Sequence, residues 1–339
     1  MRTEKAKHKT VCRRLAGVAV ALALAVAWTA AAPLAFAQDK PVTVGLLSPF
    51  PFYWASYVAA DQGFFKGQGL NVETIQFTRP SEAVQALVGG SVHFAQVSAD
   101  AFINAIDAGA KIAVVGQTIG NPAFSVVVQP ELKSWSDLKG KTVGVSAPKD
   151  GAAIVFRLMA EPNGLKEGDY TFIPVGITPN RYAALKNRAI DIAILAPPLD
   201  FMAEAEGYRV LARSEAILPR YSFIMIGTNA AWAQAHRDEV VRYLGALAQA
   251  TEWLYNPANR SAAVDVMAKK MPKVSREHHE KIYRLYFEES AGRIISRGAK
   301  VDMEGLQIYG QKLKDLGILK GPVDPGRWAD LSYQPAVSR

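Results

Sequence analysis

The chain has 339 residues, half of them apolar, with one cysteine and a formal net charge of +8, enough for one large or two medium domains with sizeable cores. Residues 1–37 carry Arg2, Lys5, Lys7, Lys9, Arg13 and Arg14 against Glu4, so five of the eight charges sit there and about three remain for the other 302 residues. A body this close to neutral lacks the phosphate-neutralising stripe of a nucleic-acid binder, and that class is set aside.

In chain order, the first element is an export signal. A basic head is followed by an apolar run from Leu15 to Ala32 and by Ala35-Phe36-Ala37 before Gln38, the layout of a secretory signal cleaved after Ala37. An uncleaved membrane anchor is the competing reading; the Ala-rich run and the cleavage site favour removal. Arg13-Arg14 hints at twin-arginine export, although the surrounding residues fit that route poorly. Cys12 precedes the apolar run, where a lipid-modified cysteine would follow it. The mature chain then has no thiol, hence no disulfide, cysteine nucleophile or cysteine metal site. A soluble periplasmic protein is expected.

After the signal, VTVGLL (42–47) reads as a strand ending in a Ser48-Pro49 loop, and Tyr53 to Ala60 as a helix stopped by the Gly63–Gly69 loop. NVETIQF (71–77) alternates as a strand does. Ser81 caps a helix through Val88, with Glu82 in its first turn and Gly89-Gly90 past its end. VHFAQV (92–97) and KIAVVG (111–116) read as strands around a helix from Ala101 to Ala108. The run FSVVV near 124–128 carries the chain out of this unit, and the pattern restarts. TVGVS (142–146), TFIPV (171–175) and IDIAIL (190–195) are strands; Gly151–Ala160, Arg181–Asn187 and Leu199–Glu206 are helices. YSFIMIG (221–227) is a second extended run. From Asn229 onward the text is helical, with apolar residues from Val240 to Leu254 at helical spacing and further helices over 259–270, 275–290 and 302–315.

Two phrases occur twice in the same order. TVGLLSP (43–49) returns as TVGVSAP (142–148), and ALVGGSVHFA (86–95) as ALKNRAIDIA (184–193). Strands alternating with short helices imply mainly parallel sheets flanked by helices, here in two similar lobes. Two extended crossings, near 122–128 and 221–227, would join them. The expected division is a signal at 1–37, the first lobe from 38–123, the second over 124–221, and a return with a helical tail over 222–339. Open α/β sheets bind ligands at the carboxyl ends of their strands, and two such edges facing across a hinge make a clamshell cleft.

The segments YVAADQGFFKGQGLNVE (57–73), ALVGGSVHFA (86–95) and SWSDLKGKTVGV (134–145) resemble solute-binding proteins of bacterial ABC importers. More narrowly, they resemble the group serving taurine, alkanesulfonates, nitrate and the thiamine pyrimidine precursor. With the signal, these segments cover most of residues 38–230, and the tail matches in helical character alone. The resemblance implies the type II periplasmic-binding-protein fold, a membrane permease with a cytoplasmic ATPase as partners, and a monomer. One position departs from the family pattern: His93 stands where an acid is usual, while the second copy keeps Asp191. His93 is read as a structural substitution. An enzyme branch of the same fold, the yeast-type thiamine-pyrimidine synthases, would imply a cysteine-rich iron site, against which a mature chain without cysteine argues.

Catalytic constellations are missing: no GxSxG elbow, Gly-rich phosphate loop or HExxH is present, and no cofactor or metal is expected. His278-His279 are adjacent, so they point to different sides of a helix. Glu288-Glu289 read as a surface charge pair. Binding needs less, because loops at strand ends and helix starts suffice. Candidates in the first lobe are Ser48, Phe50, Tyr53, Trp54, Arg79, Ser98 and Asp100; Ser98 and Asp100 serve equally as helix caps. In the second lobe they are Ser146, Lys149, Gly151, Arg181 and Pro197, where Pro197 alternatively begins a helix. Asn121 and Ser125 sit at the first crossing. The aromatic residues at 50–54 either line the cleft or pack the hinge. Arg79, Lys149 and Arg181 either hold a carboxylate or sulfonate or are solvated; Arg181 could also fall one turn inside its helix.

These residues lead to an expected function: a periplasmic receptor that closes on a small organic anion, a sulfonate or carboxylate that is aliphatic or aromatic. A thiamine-pyrimidine-like heteroaromatic is the alternative ligand. An exported enzyme or a ligand-sensing module on the same scaffold are the alternatives of another class.

Overall fold

Short runs rich in Val and Ile become strands, most of them buried on both faces as parallel sheets between helices require, while Val72–Gln76, Tyr170–Pro174 and Arg209–Arg213 stay largely exposed or half-buried. The computed structural model describes residues 41–47, 49–217, 220–290 and 294–334; the expected export signal, Cys12 and Ser48 lie outside the described residues. In chain order the strands are β1 (Val42–Leu46), β2 (Val72–Gln76), β3 (Phe94–Ser98), β4 (Ile112–Ile119), β5 (Ser125–Val128), β6 (Lys141–Val145), β7 (Tyr170–Pro174), β8 (Ile192–Leu195), β9 (Arg209–Arg213) and β10 (Ile224–Asn229). They assort into two five-stranded sheets, ordered β2-β1-β3-β10-β4 and β7-β6-β8-β5-β9. Helices flank both, giving the two-lobed type II periplasmic-binding-protein architecture with a helical C-terminal region.

The two crossings are themselves strands. After β4 the chain leaves the first sheet and enters the second as β5, antiparallel to β8 and β9. After β9 it returns as β10, antiparallel to β3 and β4. Each sheet is therefore parallel except for one reversed strand, placed between two parallel ones.

The repeated phrases pair with one another. In the first sheet Val44 lies beside Phe94 and Gly45 beside Ala95; in the second, Val143 lies beside Ile192 and Gly144 beside Ala193. Glycine is needed at that step because a Cβ on Gly144 would lie 2.4 Å from the Ile190 Cδ1 and 3.0 Å from a Val175 methyl. One residue ahead, Thr142 donates its backbone N–H to Asp191 Oδ2 at 2.9 Å and its hydroxyl to the same oxygen at 2.8 Å. In the first lobe Thr43 donates its backbone N–H to His93 Nδ1 at 2.9 Å. His93 therefore fills the acid's place as an acceptor, with Nδ1 unprotonated, and burial holds its pKa below the ordinary imidazole value.

Helix starts differ from the expected ones where proline decides. Ser81 falls inside the helix Pro80–Val88, because proline takes the first helical position without losing a hydrogen bond. Glu82 Oε2 reaches back to the N–H groups of Thr78 and Arg79, at 3.2 and 3.1 Å. The helix over 178–186 likewise starts at Thr178, with Pro179 in its first turn, so Arg181 lies one turn inside.

The tail packs on the first sheet. Ala329 and Ile295 bridge to Val114 and Ile119 on β4. The expected single helix over 275–290 divides into Arg276–Tyr283 and a π-helical stretch, Arg284–Glu289. Across that change of pitch Tyr283 and Phe287 both set their rings against Trp54, at 5.9 and 5.4 Å.

Candidate functional site

The strand ends of both lobes meet around one cavity. It is lined from the first lobe by the loop after β1 (Leu47, Phe50, Phe52, Tyr53), by Pro80 and by Ser98 at the end of β3. The second lobe contributes Ser146, Asp150, Gly151 and the start of the 178–186 helix, including Thr178 and Arg181. Phe124, Phe223 and Ile224 come from the crossings. The space open to the centre of a water molecule is about 70 Å³.

Phenylalanine rings dominate one wall. Phe52, Phe124 and Phe223 meet edge to face, with centroids 5.4 to 5.8 Å apart, and Phe50 lies 5.4 Å from Phe52. Tyr53 is buried, which holds its phenol protonated far above the ordinary range.

Arg181 is the charge in this wall. It is 3 % exposed, and its Nη2 donates to Thr178 Oγ1 at 2.9 Å. Its Nε and Nη1 have no partner among the described residues. Burial pushes its pKa down to about 10, with the Asp150 charge opposing, so it remains a cation at neutral pH. A desolvated cation with unused donors is costly unless an anion completes it, and guanidinium geometry suits a carboxylate or sulfonate.

Asp150 is not its missing partner. Its Oδ2 accepts from the N–H groups of Ser146 and Ala147 at 2.9 and 3.2 Å, and its Oδ1 accepts from Ala153 at 2.8 Å. It caps the helix Gly151–Ala160, so its charge is spent on the donors a ligand could have used. Asp100, across the cleft, accepts from the Tyr309 hydroxyl at 2.8 Å. Burial, and secondly the charge of Asp150, push its pKa up to about 7.

The lobes touch at Gly151. A Cβ there would stand 2.7 Å from the Phe223 ring, 3.2 Å from Asp100 Oδ1 and 3.3 Å from Ser98 Cβ.

Of the residues proposed from sequence, Phe50, Tyr53, Ser98, Ser146, Gly151 and Arg181 line this inner cavity. Arg79, Asp100, Lys149 and again Ser146 line an adjoining outer cavity of about 380 Å³. Asn121 lines a different hollow behind the crossings, with Arg220 and Asp302. Trp54 turns away: its indole N–H donates to the Ala263 carbonyl at 3.0 Å, and it is fully buried. Ser125 is engaged inside the second lobe, donating to Asp200 at 2.7 Å and accepting from Arg213 at 3.0 Å. Pro197, joined to Pro198 by a cis peptide, lines neither cleft cavity. Ser48 lies outside the described residues. Sequence reasoning passed over Phe124, Phe223 and Thr178, and did not single out Asp150 between Ser146 and Gly151. The two phenylalanines carried a readable signal, since each sits in one of the two crossings expected to join the lobes.

Comparison with known proteins places these features. Residues 52–260, more than half of the chain, match the family model described as NMT1/THI5 like. A Brucella abortus protein named as a binding protein is 28 % identical over 316 residues, covering 90 % of this chain and 94 % of its own. A 4-amino-5-hydroxymethyl-2-methylpyrimidine phosphate synthase from Aspergillus parasiticus is 23 % identical over 297 residues, covering 81 % of this chain and 82 % of its own. Among solved structures, the alkanesulfonate-binding protein SsuA from Xanthomonas axonopodis pv. citri, bound to MOPS, has a TM-score of 0.69 at 18 % identity. It covers 83 % of this chain and 96 % of its own.

Proposed function

The chain belongs to the NMT1/THI5-like family, and on that premise we propose that it is the periplasmic receptor of an ABC importer, closing on a small organic anion. The observation that carries this reading is Arg181: a buried cation in the lining of an apolar cleft, with two guanidinium nitrogens that have no partner among the described residues. An anion bound there contacts both lobes in the closed form alone, so it shifts the open–closed equilibrium toward closure. The crossings after β4 and after β9 act as the hinge, and the lobes divide near 123/124 and 221/222. A membrane permease with its ATPase reads the closed form, the signal is removed after Ala37, and the receptor works as a monomer without turnover.

Named binding relatives support transport over catalysis, and the synthase relative marks the enzyme alternative. Turnover of a bound compound would favour that alternative. A ligand-sensing module would instead lack a permease and ATPase encoded beside it. A neutral pyrimidine could use the phenylalanine wall but would leave Arg181 unpaired, so it ranks second.

Native mass spectrometry of the purified protein, before and after denaturation, tests the reading first. A retained carboxylate or sulfonate is expected. For protein that arrives empty, a thermal-shift screen of such anions should raise the melting temperature by mass action. If no anion does so, the anion-receptor reading falls.

A further inference from the structure

We propose that the ligand is a single-ring aromatic acid, its anionic group on Arg181 and its ring seated among Phe52, Phe124 and Phe223. This rests on the anion-receptor reading above and narrows it to one chemical class.

The central observation is adjacency. The Arg181 guanidinium carbon lies 5.8 Å from the centroid of Phe124, so an anionic group on Arg181 brings the atoms attached to it against that ring. Phe124 meets Phe52 and Phe223 at interplanar angles of 88° and 84°, and the cavity is thus offered both ring edges and ring faces. Aromatic guests gain from such walls beyond the area they bury, because their own quadrupoles complement edges and faces. A bare inorganic anion would satisfy Arg181 and leave this wall unused. The number of charges follows from Asp150, whose oxygens already accept from three backbone N–H groups. Among the described residues, Arg181 is the single cation lining the inner cavity, which suits one anionic group. Size follows from the roughly 70 Å³ of open space. At 10–15 Å³ per water in this measure, it holds roughly five waters, or roughly 150 Å³ of liquid volume. A cavity of about that size holds benzene, so the open space takes one ring and no second.

The test is calorimetric titration of the purified protein with benzoate, benzenesulfonate, cyclohexanecarboxylate, cyclohexanesulfonate and nitrate. The better aryl acid should bind about tenfold tighter than its saturated counterpart, the equivalent of one good aromatic pair, with nitrate weakest. Phe124→Leu should reduce that aryl preference several-fold while the saturated acid keeps its affinity. If Phe124→Leu does not fold, as its melting curve would reveal, Phe52→Leu serves the same purpose. Equal or tighter binding of the saturated acids or of nitrate overturns the aromatic assignment and leaves the anion receptor standing, provided Arg181→Met abolishes that binding. Failure of all five probes to bind overturns the aromatic class and counts against the anion receptor as well.

Discussion

A buried guanidinium with unused donors costs folding free energy, and that cost separates its role from a structural one. Replacing Arg181 by methionine should leave the melting temperature of the free protein unchanged or raised, because a hydrophobe of similar length needs no partner there. The same change should abolish stabilisation by anions. A large loss of stability in the free Arg181→Met protein would mean that the guanidinium serves the fold. Asp100 makes a second residue-scale prediction. Its folded pKa, about 7, lies above the unfolded value of about 4, so the folded state keeps a proton that the unfolded chain releases. Stability from this group is full below about pH 4 and is lost as pH rises toward 7, at up to about 1.4 kcal/mol per pH unit. Melting temperatures between pH 4.5 and 8 should therefore fall more steeply for the native protein than for Asp100→Asn, which keeps an acceptor for the Tyr309 hydroxyl. Parallel curves would refute it.

Among the elements, the helix Gly151–Ala160 meets the first lobe at its first residue. Alanine is a better helix former than glycine, so Gly151→Ala should not weaken the helix itself. Its methyl, however, would meet the Phe223 ring at 2.7 Å, too close for closure without displacing a packed crossing. The expected outcome is an unchanged melting temperature with anion affinity, measured calorimetrically with benzenesulfonate, down by about tenfold, which is about 1.4 kcal/mol. Unchanged affinity would mean that closure does not require this contact. The strands were the most legible part of the chain, because a β-branched run bounded by turn residues has few other fates. His93 was readable as a structural substitution because its counterpart Asp191 stands at the matching place in the repeat. Its chemistry as a neutral acceptor for Thr43 needed the register of β1 against β3. Helix starts were read a residue or more late where proline precedes the first polar cap. Trp54 was a candidate for the cleft from its place after a strand, with packing as the alternative that the structure shows. The direction of its side chain depends on tail aromatics more than two hundred residues away, which local pattern does not encode.

For the molecule as a whole, closure is a shape change and can be read as one. Small-angle scattering with saturating benzenesulfonate should give a smaller radius of gyration than the free protein, and Gly151→Ala should blunt the difference. An identical radius in both conditions would argue against a moving clamshell. The two-lobe plan was visible in the repeated phrases, whereas the reversed insertion of each crossing strand was not. That insertion also governs how the protein assembles as it emerges. The chain is made from its N-terminal end, and among the strands of the described residues β4 pairs with β10 alone. Every strand of the second sheet, β5 to β9, is made between those two partners. The second lobe can therefore complete its sheet while the first still waits, with an unpaired apolar edge exposed, for residues 224–229 to arrive. Unpaired edges of this kind invite aggregation, so the first lobe is the half most at risk until its last strand is in place.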